Sequence, residues 1–153
     1  VKKTIVVLVG LPGSGKSTWV AQQRLPAISS DQIRLILTDD PTNQKVNARI
    51  FETARFLLKQ RLAIGRPVSY VDATHLTCDE RSPYLEIARH SGCETEALFF
   101  DTPLEECLRR NSLRERIVPQ DAIRAMAAKL EVPSLAEGFN RVSFVRTARE
   151  LLP

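Results

Sequence analysis

The sequence predicts an α/β fold, a parallel sheet of about four to five strands sandwiched by helices. Three observations predict it. Apolar runs alternate with segments of helical period in the order βαβαβαβα. The strand-like runs are apolar in character, as strands covered by helices on both faces must be. The first of them, Thr4 to Val9, runs directly into Gly10-Leu11-Pro12-Gly13-Ser14-Gly15-Lys16-Ser17-Thr18, a glycine-rich turn that opens a helix-compatible segment.

That turn has the spacing G-x-x-x-x-G-K-[ST], with Gly10, Gly15, Lys16 and Ser17 at the fixed places. Glycine lets backbone N–H groups turn inward on an anion, lysine reaches the β- and γ-phosphates of a nucleotide, and the hydroxyl holds Mg²⁺. Pro12, Gly13, Ser14 and Thr18 complete the cradle. The expected architecture is therefore a P-loop NTPase-type sheet, with ATP and Mg²⁺ as cofactors and Ser17 on the metal. A dinucleotide reading of Gly13-Ser14-Gly15 fails, because position 18 is Thr18 and not glycine.

The first helix ends near Leu25-Pro26, and Ala27 to Asp31 reads as a short strand that reaches a helix start, placing Asp31 at the junction. Ile33, Ile36 and Leu37 share one face of the next helix and Arg34 lies on another, one turn after Asp31. That spacing lets Asp31 and Arg34 approach one ligand. A long amphipathic helix is expected from about Asn43 to Ile64, with Val46, Ile50, Ala54, Leu57, Leu58 and Leu62 as its stripe and Gly65 at its end. Arg66 to Asp72 reads as a buried strand with an acidic last residue. Thr77-Cys78-Asp79-Glu80 resembles a capping box for a helix to Arg89, which Gly92 closes. Glu94 to Phe100 is a fourth strand, and Asp101-Thr102-Pro103 starts another helix. Arg109, Arg110, Arg114 and Arg116 then fall close together, as a lid over about 105–118 or as a solvated face paired with Glu105, Glu106 and Glu115. A helix from about Asp121 to Leu130 and a short strand, Arg141 to Val145, complete the pattern.

At 153 residues the chain reads as a single domain. No apolar run approaches the length of a membrane span, and Val1-Lys2-Lys3 leads straight into the first strand, so a cytoplasmic protein without a signal peptide is expected. The three cysteines, Cys78, Cys93 and Cys107, are odd in number and lack metal-like spacing, which argues against a disulfide framework or a structural metal. A net charge of +4 suits an anionic partner without identifying one.

In a parallel sheet the ligand sits beyond the carboxyl ends of the strands. The cradle, Asp31 and Asp72 all follow strand carboxyl ends, so three separate readings converge on one rim. No Asn-Lys-x-Asp guanine reader occurs, and phosphoryl transfer is the reading that remains for the bound triphosphate. Transfer to a hydroxyl needs a carboxylate to orient the acceptor and take its proton, plus cations on the moving phosphoryl group. Asp31 and Asp72 are both candidates for the base, or for the water shell of Mg²⁺. The arginines are candidates for the cations.

The motifs bring a family into view. The chain resembles the kinase domain of 5′-hydroxyl polynucleotide kinases through the cradle, Asp31 with Arg34, Val71-Asp72-Ala73-Thr74-His75, Arg110-Asn111-Ser112-Leu113-Arg114-Glu115 and Pro133-Ser134-Leu135-Ala136-Glu137-Gly138-Phe139, in that order. The resemblance implies Asp31 as general base, Arg34 as acceptor-side arginine, Arg110 and Arg114 on the ATP phosphates, and Asp72 with Thr74 at the acceptor site. It implies Lys16 and Arg114 beside Asp31 and Arg34 in catalysis, and nucleic-acid 5′-OH ends as partners. Arg116 stands near the lid pattern. The chain departs from the family at Ser29-Ser30, where Asn-Arg is common, and at His75, where Asn is usual; the histidine reads as a structural hydrogen-bonding residue. No Asp-x-Asp-Gly-Thr phosphatase motif is present. Two other readings stay open: a kinase of a small-molecule hydroxyl, and an ATP-binding module without catalysis.

Overall fold

The computed structural model describes residues 2–115 and 117–146. Five parallel strands run β1 (Thr4–Val9), β2 (Ile28–Ser29), β3 (Val68–Asp72), β4 (Glu94–Phe100) and β5 (Arg141–Val145), in the sheet order β2-β3-β1-β4-β5. Between them lie α1 (Lys16–Gln23), α2 (Ser30–Thr38), α3 (Asn47–Ala63), α4 (Cys78–Ser91), α5 (Leu104–Ser112) and α6 (Gln120–Lys129). The expected sheet and its helical cover are both present.

The central strand explains the two layers. Ile5, Val7 and Val9 of β1 point into one core with Ile50, Ala54 and Leu58 of α3 and Tyr84 and Leu85 of α4. Val6 and Leu8 point the other way, into a second core with Leu98, Phe100 and Trp19 of α1. Alternate residues of one strand thus serve opposite faces, and both faces must be apolar. The chain reverses direction across the sheet at β1, with β3 on one side and β4 on the other. The crevice at such a switch point is where this class of sheet binds ligands.

Two boundaries near the site differ from the sequence reading, the end of β2 and the start of α3. β2 is only Ile28–Ser29, because the Ser29 side chain accepts the Gln32 amide at 3.3 Å and starts α2 at once. Asp31 therefore lies in the first helical turn. α3 starts at Asn47, four residues later than Asn43, because the Asn43 side chain accepts the Lys45 amide at 2.9 Å and closes a local turn instead. Leu57 leaves the stripe and is exposed; the buried positions Ile50, Ala54, Leu58 and Leu62 keep a strict spacing of four. Finally, α5 ends at Ser112, which puts Arg114 beyond the helix, and Arg116 lies outside the described residues. The capping box at Thr77 and Glu80 is formed as expected.

Candidate active site

The glycine-rich turn is held in place from below. Gly13 has φ +83°, and a Cβ there would stand 2.5 Å from the Cys107 carbonyl oxygen of α5, so only glycine lets the loop pass this close. Gly15, at φ +103°, turns the chain into α1. Thr102 Oγ1 donates to the Ser14 carbonyl at 2.8 Å and ties the start of the α5 segment to the loop. The amides of the first turn of α1 have no partner within the helix, which makes this terminus an anion site. Lys16 Nζ donates to the carbonyls of Gly10 (2.8 Å) and Leu11 (3.1 Å). Ser17 and Thr18 are exposed along the cleft.

Two carboxylates line the cleft beside this cradle, Asp72 at the end of β3 and Asp31 in the first turn of α2. Asp72 is the last residue of β3 and pairs in register with Leu8 of β1 and with Ser29 of β2. It is 8% exposed. Burial pushes the Lys16 ammonium down and the Asp72 carboxyl up, and the opposite charges of the two offset part of that cost, with Asp31 adding to the negative field at both. The Asp31 side chain is 51% exposed, and Arg34 Nη1 donates to its Oδ1 at 3.0 Å. Arg34 itself is buried, and its other arm, Nη2, donates to Asn47 Oδ1 at 2.8 Å. Asn47 Nδ2 in turn donates to Gln44 Oε1 at 3.1 Å.

The arginines differ in their surroundings. Arg109 is exposed, pairs with Glu106 and lines the rim of the same cleft as its neighbours. Arg110 also reaches Glu106, but its Nη1 lies 3.4 Å from the Gly13 carbonyl, over the cradle. Arg114 is exposed, lines the cleft, and adds to the positive field at Lys16.

One cleft of about 1210 Å³ gathers these groups. Pro12, Gly13, Gly15, Lys16, Ser17, Thr18, Asp31, Arg34, Asp72, Thr74, Arg110 and Arg114 all line it. Gly10 and Ser14 lie beneath, both buried. The Ser17 hydroxyl and the carboxylates of Asp72 and Asp31 are hard oxygen donors. Among the described residues there is no group of three or more His, Cys, Asp or Glu able to cage a metal. Such a sparse oxygen set fits Mg²⁺, which keeps several waters and is shared with phosphates, and does not fit zinc.

His75 is buried and structural. Its backbone adopts φ +46°, and its Nδ1 lies 2.6 Å from the Leu8 carbonyl, to which the neutral ring donates. Burial pushes its pKa down to about 4. The sequence reading missed Asn47, which no local pattern marks, and the pairing of Arg81 with Glu137, whose partners are distant along the chain. Glu137 alone carried a signal, as part of a motif without a role.

Fold and cleft together define an α/β domain whose glycine-rich turn forms a P-loop-type cradle at the head of α1. Residues 5–133 match the AAA domain family, and the chain belongs to it. The bifunctional polynucleotide phosphatase/kinase of Schizosaccharomyces pombe is 28% identical over 149 residues, 92% of this chain and 33% of the relative. Human L-seryl-tRNA(Sec) kinase is 34% identical over 85 residues, 55% of this chain and 24% of the relative. The chain thus spans about a quarter to a third of the length of these curated relatives. Among solved structures, a putative kinase from Chloroflexus aurantiacus superposes with a TM-score of 0.75 at 14% identity, over 100% of this chain and 93% of that one. A chain of the Pnkp1/Rnl/Hen1 RNA repair complex superposes with a TM-score of 0.64 at 24% identity, over 84% of this chain and 44% of that one. Both share the fold.

Proposed function

We propose that this domain transfers the γ-phosphoryl group of ATP to the 5′-hydroxyl end of RNA or DNA. The observation that carries the reading is the single cleft in which Lys16, the Asp31–Arg34 pair, Asp72, Thr74, Arg110 and Arg114 meet. The similarity to a polynucleotide phosphatase/kinase along 92% of the chain supports the acceptor class.

In this reading the helix-terminal amides and Lys16 bind the β- and γ-phosphates. Asp31 accepts the proton of the acceptor hydroxyl while the hydroxyl oxygen bonds to the γ-phosphorus and the bond from that phosphorus to the β,γ-bridging oxygen breaks, releasing ADP. Arg34, Asp72 and Thr74 hold the acceptor end. Arg110 and Arg114 neutralise the charge on the transferred group and exclude water from it. Ser17, with Asp31 or Asp72, would hold Mg²⁺, and a bound Mg²⁺ would supply further neutralisation of the phosphate oxygens. The half-exposed Asp31 suits the base better than buried Asp72, because an acceptor end has to reach it.

A small-molecule hydroxyl is the second reading, and one observation favours it. Ser29 accepts from the Gln32 amide and Ser30 is buried, so the two positions before Asp31 present no arginine or amide to a polynucleotide. Incubation with γ-labelled ATP and a panel of 5′-OH oligonucleotides, sugars and nucleosides separates the readings. Label on oligonucleotide 5′ ends is the expected result; label on a small alcohol alone transfers the proposal to the second reading.

A further inference from the structure

The segment Glu131–Glu137 bonds the turn that follows β3 from its outer side. The Glu131 amide donates to the Leu76 carbonyl at 2.8 Å, and the Cys78 amide donates to Glu131 Oε1 at 3.1 Å. Arg81, fully buried in α4, donates through Nε and Nη2 to the two carboxylate oxygens of Glu137, at 2.8 and 2.9 Å. Its remaining arm, Nη1, donates to the carbonyl of His75 at 2.7 Å. His75 holds a left-handed backbone conformation that a non-glycine residue keeps only when its surroundings impose it. On the inner side the same turn meets the cradle: the Gly10 amide donates to the Thr74 carbonyl at 3.0 Å, and the His75 ring to the Leu8 carbonyl.

We infer that Arg81 and Glu137 are positioning residues of the reaction, a clamp that fixes the Asp72–His75 turn and so sets Asp72 and Thr74 against the phosphate cradle. A buried ion pair is weak evidence for stability, since apolar residues of similar volume often serve as well or better. Here all three arms of the guanidinium are engaged, two on one carboxylate and one on a strained carbonyl, which is the geometry of a fixture. The clamp also gives the Pro133–Phe139 motif a role the cleft itself does not supply, because Glu137 does not line it. This inference rests on Asp72 and Thr74 being acceptor-side groups.

The test compares the parent chain with Arg81→Met/Glu137→Leu, which fills the same space without charge, and with Glu137→Gln, which keeps the shape. For the double variant we expect a cooperative melt, an ATP KM within about twofold of the parent and an acceptor kcat/KM lowered about thirtyfold, the scale of a displaced substrate-positioning group. Glu137→Gln is expected to show the same selective loss, about tenfold. A folded double variant with parental acceptor kcat/KM, or an equal loss on the ATP side, overturns the clamp. If the double variant does not fold, Glu137→Gln decides by the same ratio. Amide hydrogen exchange separates this inference from the proposed function. Faster exchange at Gly10 in the variants supports the clamp even if the parent labels no acceptor, a result that would sink the functional reading instead. Unchanged exchange at Gly10 contradicts the clamp.

Discussion

The two walls of the cleft are built in different ways. In the proposed reading the donor wall comes from one continuous stretch, Gly10–Thr18, with one buried lysine, Lys16, where the turn enters α1. The wall proposed for the acceptor comes from three separate elements: Asp31 and Arg34 on α2, Asn47 on α3, and Asp72 with Thr74 at the end of β3. A wall made of consecutive residues is specified locally and tolerates little change. A wall made of distant ones depends on packing between helices, and its chemistry adjusts one residue at a time. On the proposed reading, that contrast leaves the donor side fixed by one stretch and lets the acceptor side vary on such a fold.

The largest expected effect falls on the donor wall. Lys16→Met is expected to lower phosphoryl transfer by about 10⁴-fold and to weaken ATP binding with it, since one group serves both. Steady-state transfer and nucleotide titration check it; intact ATP binding would break the assignment of this wall. Next comes Arg114, exposed and lining the cleft just beyond α5: Arg114→Ala is expected to cost about 10³-fold in kcat. Arg109→Ala, at the cleft rim with its guanidinium tied to Glu106, is expected to change kcat less than about twofold, because it is half exposed and already paired.

A smaller effect belongs to the acceptor wall. Asn47→Ala removes the oxygen that receives Arg34 Nη2, and is expected to raise the acceptor KM about tenfold, at unchanged ATP KM, as positioning is lost. Asn47→Asp keeps that oxygen and is expected to restore most of the loss. Equal shifts in both KM values would erase the division between the walls.

The last effect is absent at neutral pH. His75 is held neutral, with a folded pKa of about 4 against 6.5 for the free side chain. Below pH 6.5 the unfolded chain takes up a proton that the buried ring refuses, so stability falls as the pH drops from about 6.5 to about 4, by about 3 kcal/mol in all. Above pH 6.5 the ring adds no pH dependence. His75→Asn, a residue that tolerates the left-handed backbone, is expected to flatten this part of a urea-melt profile.

The sequence reading fared according to the same contrast. Local signals survive: the cradle, the strand Thr4–Val9 and the capping box at Thr77 each depend on neighbours within a few residues. Asp31 and Asp72 were placed at strand ends because β-to-α junctions carry local punctuation too. The start of α3 was misread because Asn43 closes a turn with its own side chain, and nothing in the helical period at 43–46 shows it. The burial of Arg34 was invisible because it depends on Asn47, a residue of another helix. Arg81 and Glu137 pair across a large sequence separation, and no periodicity links them.

The central claim is that donor and acceptor are served by separate walls, with Asp31 as the base on the acceptor side. Asp31→Asn and Asp72→Asn, measured side by side for ATP affinity and for label transfer to a 5′-OH oligonucleotide, test it most directly. Asp31→Asn is expected to lose about 10³-fold in transfer while its Kd for ATP stays within about twofold, and Asp72→Asn to lose less. Parental transfer by Asp31→Asn, or a loss of ATP affinity in step with transfer, would contradict it.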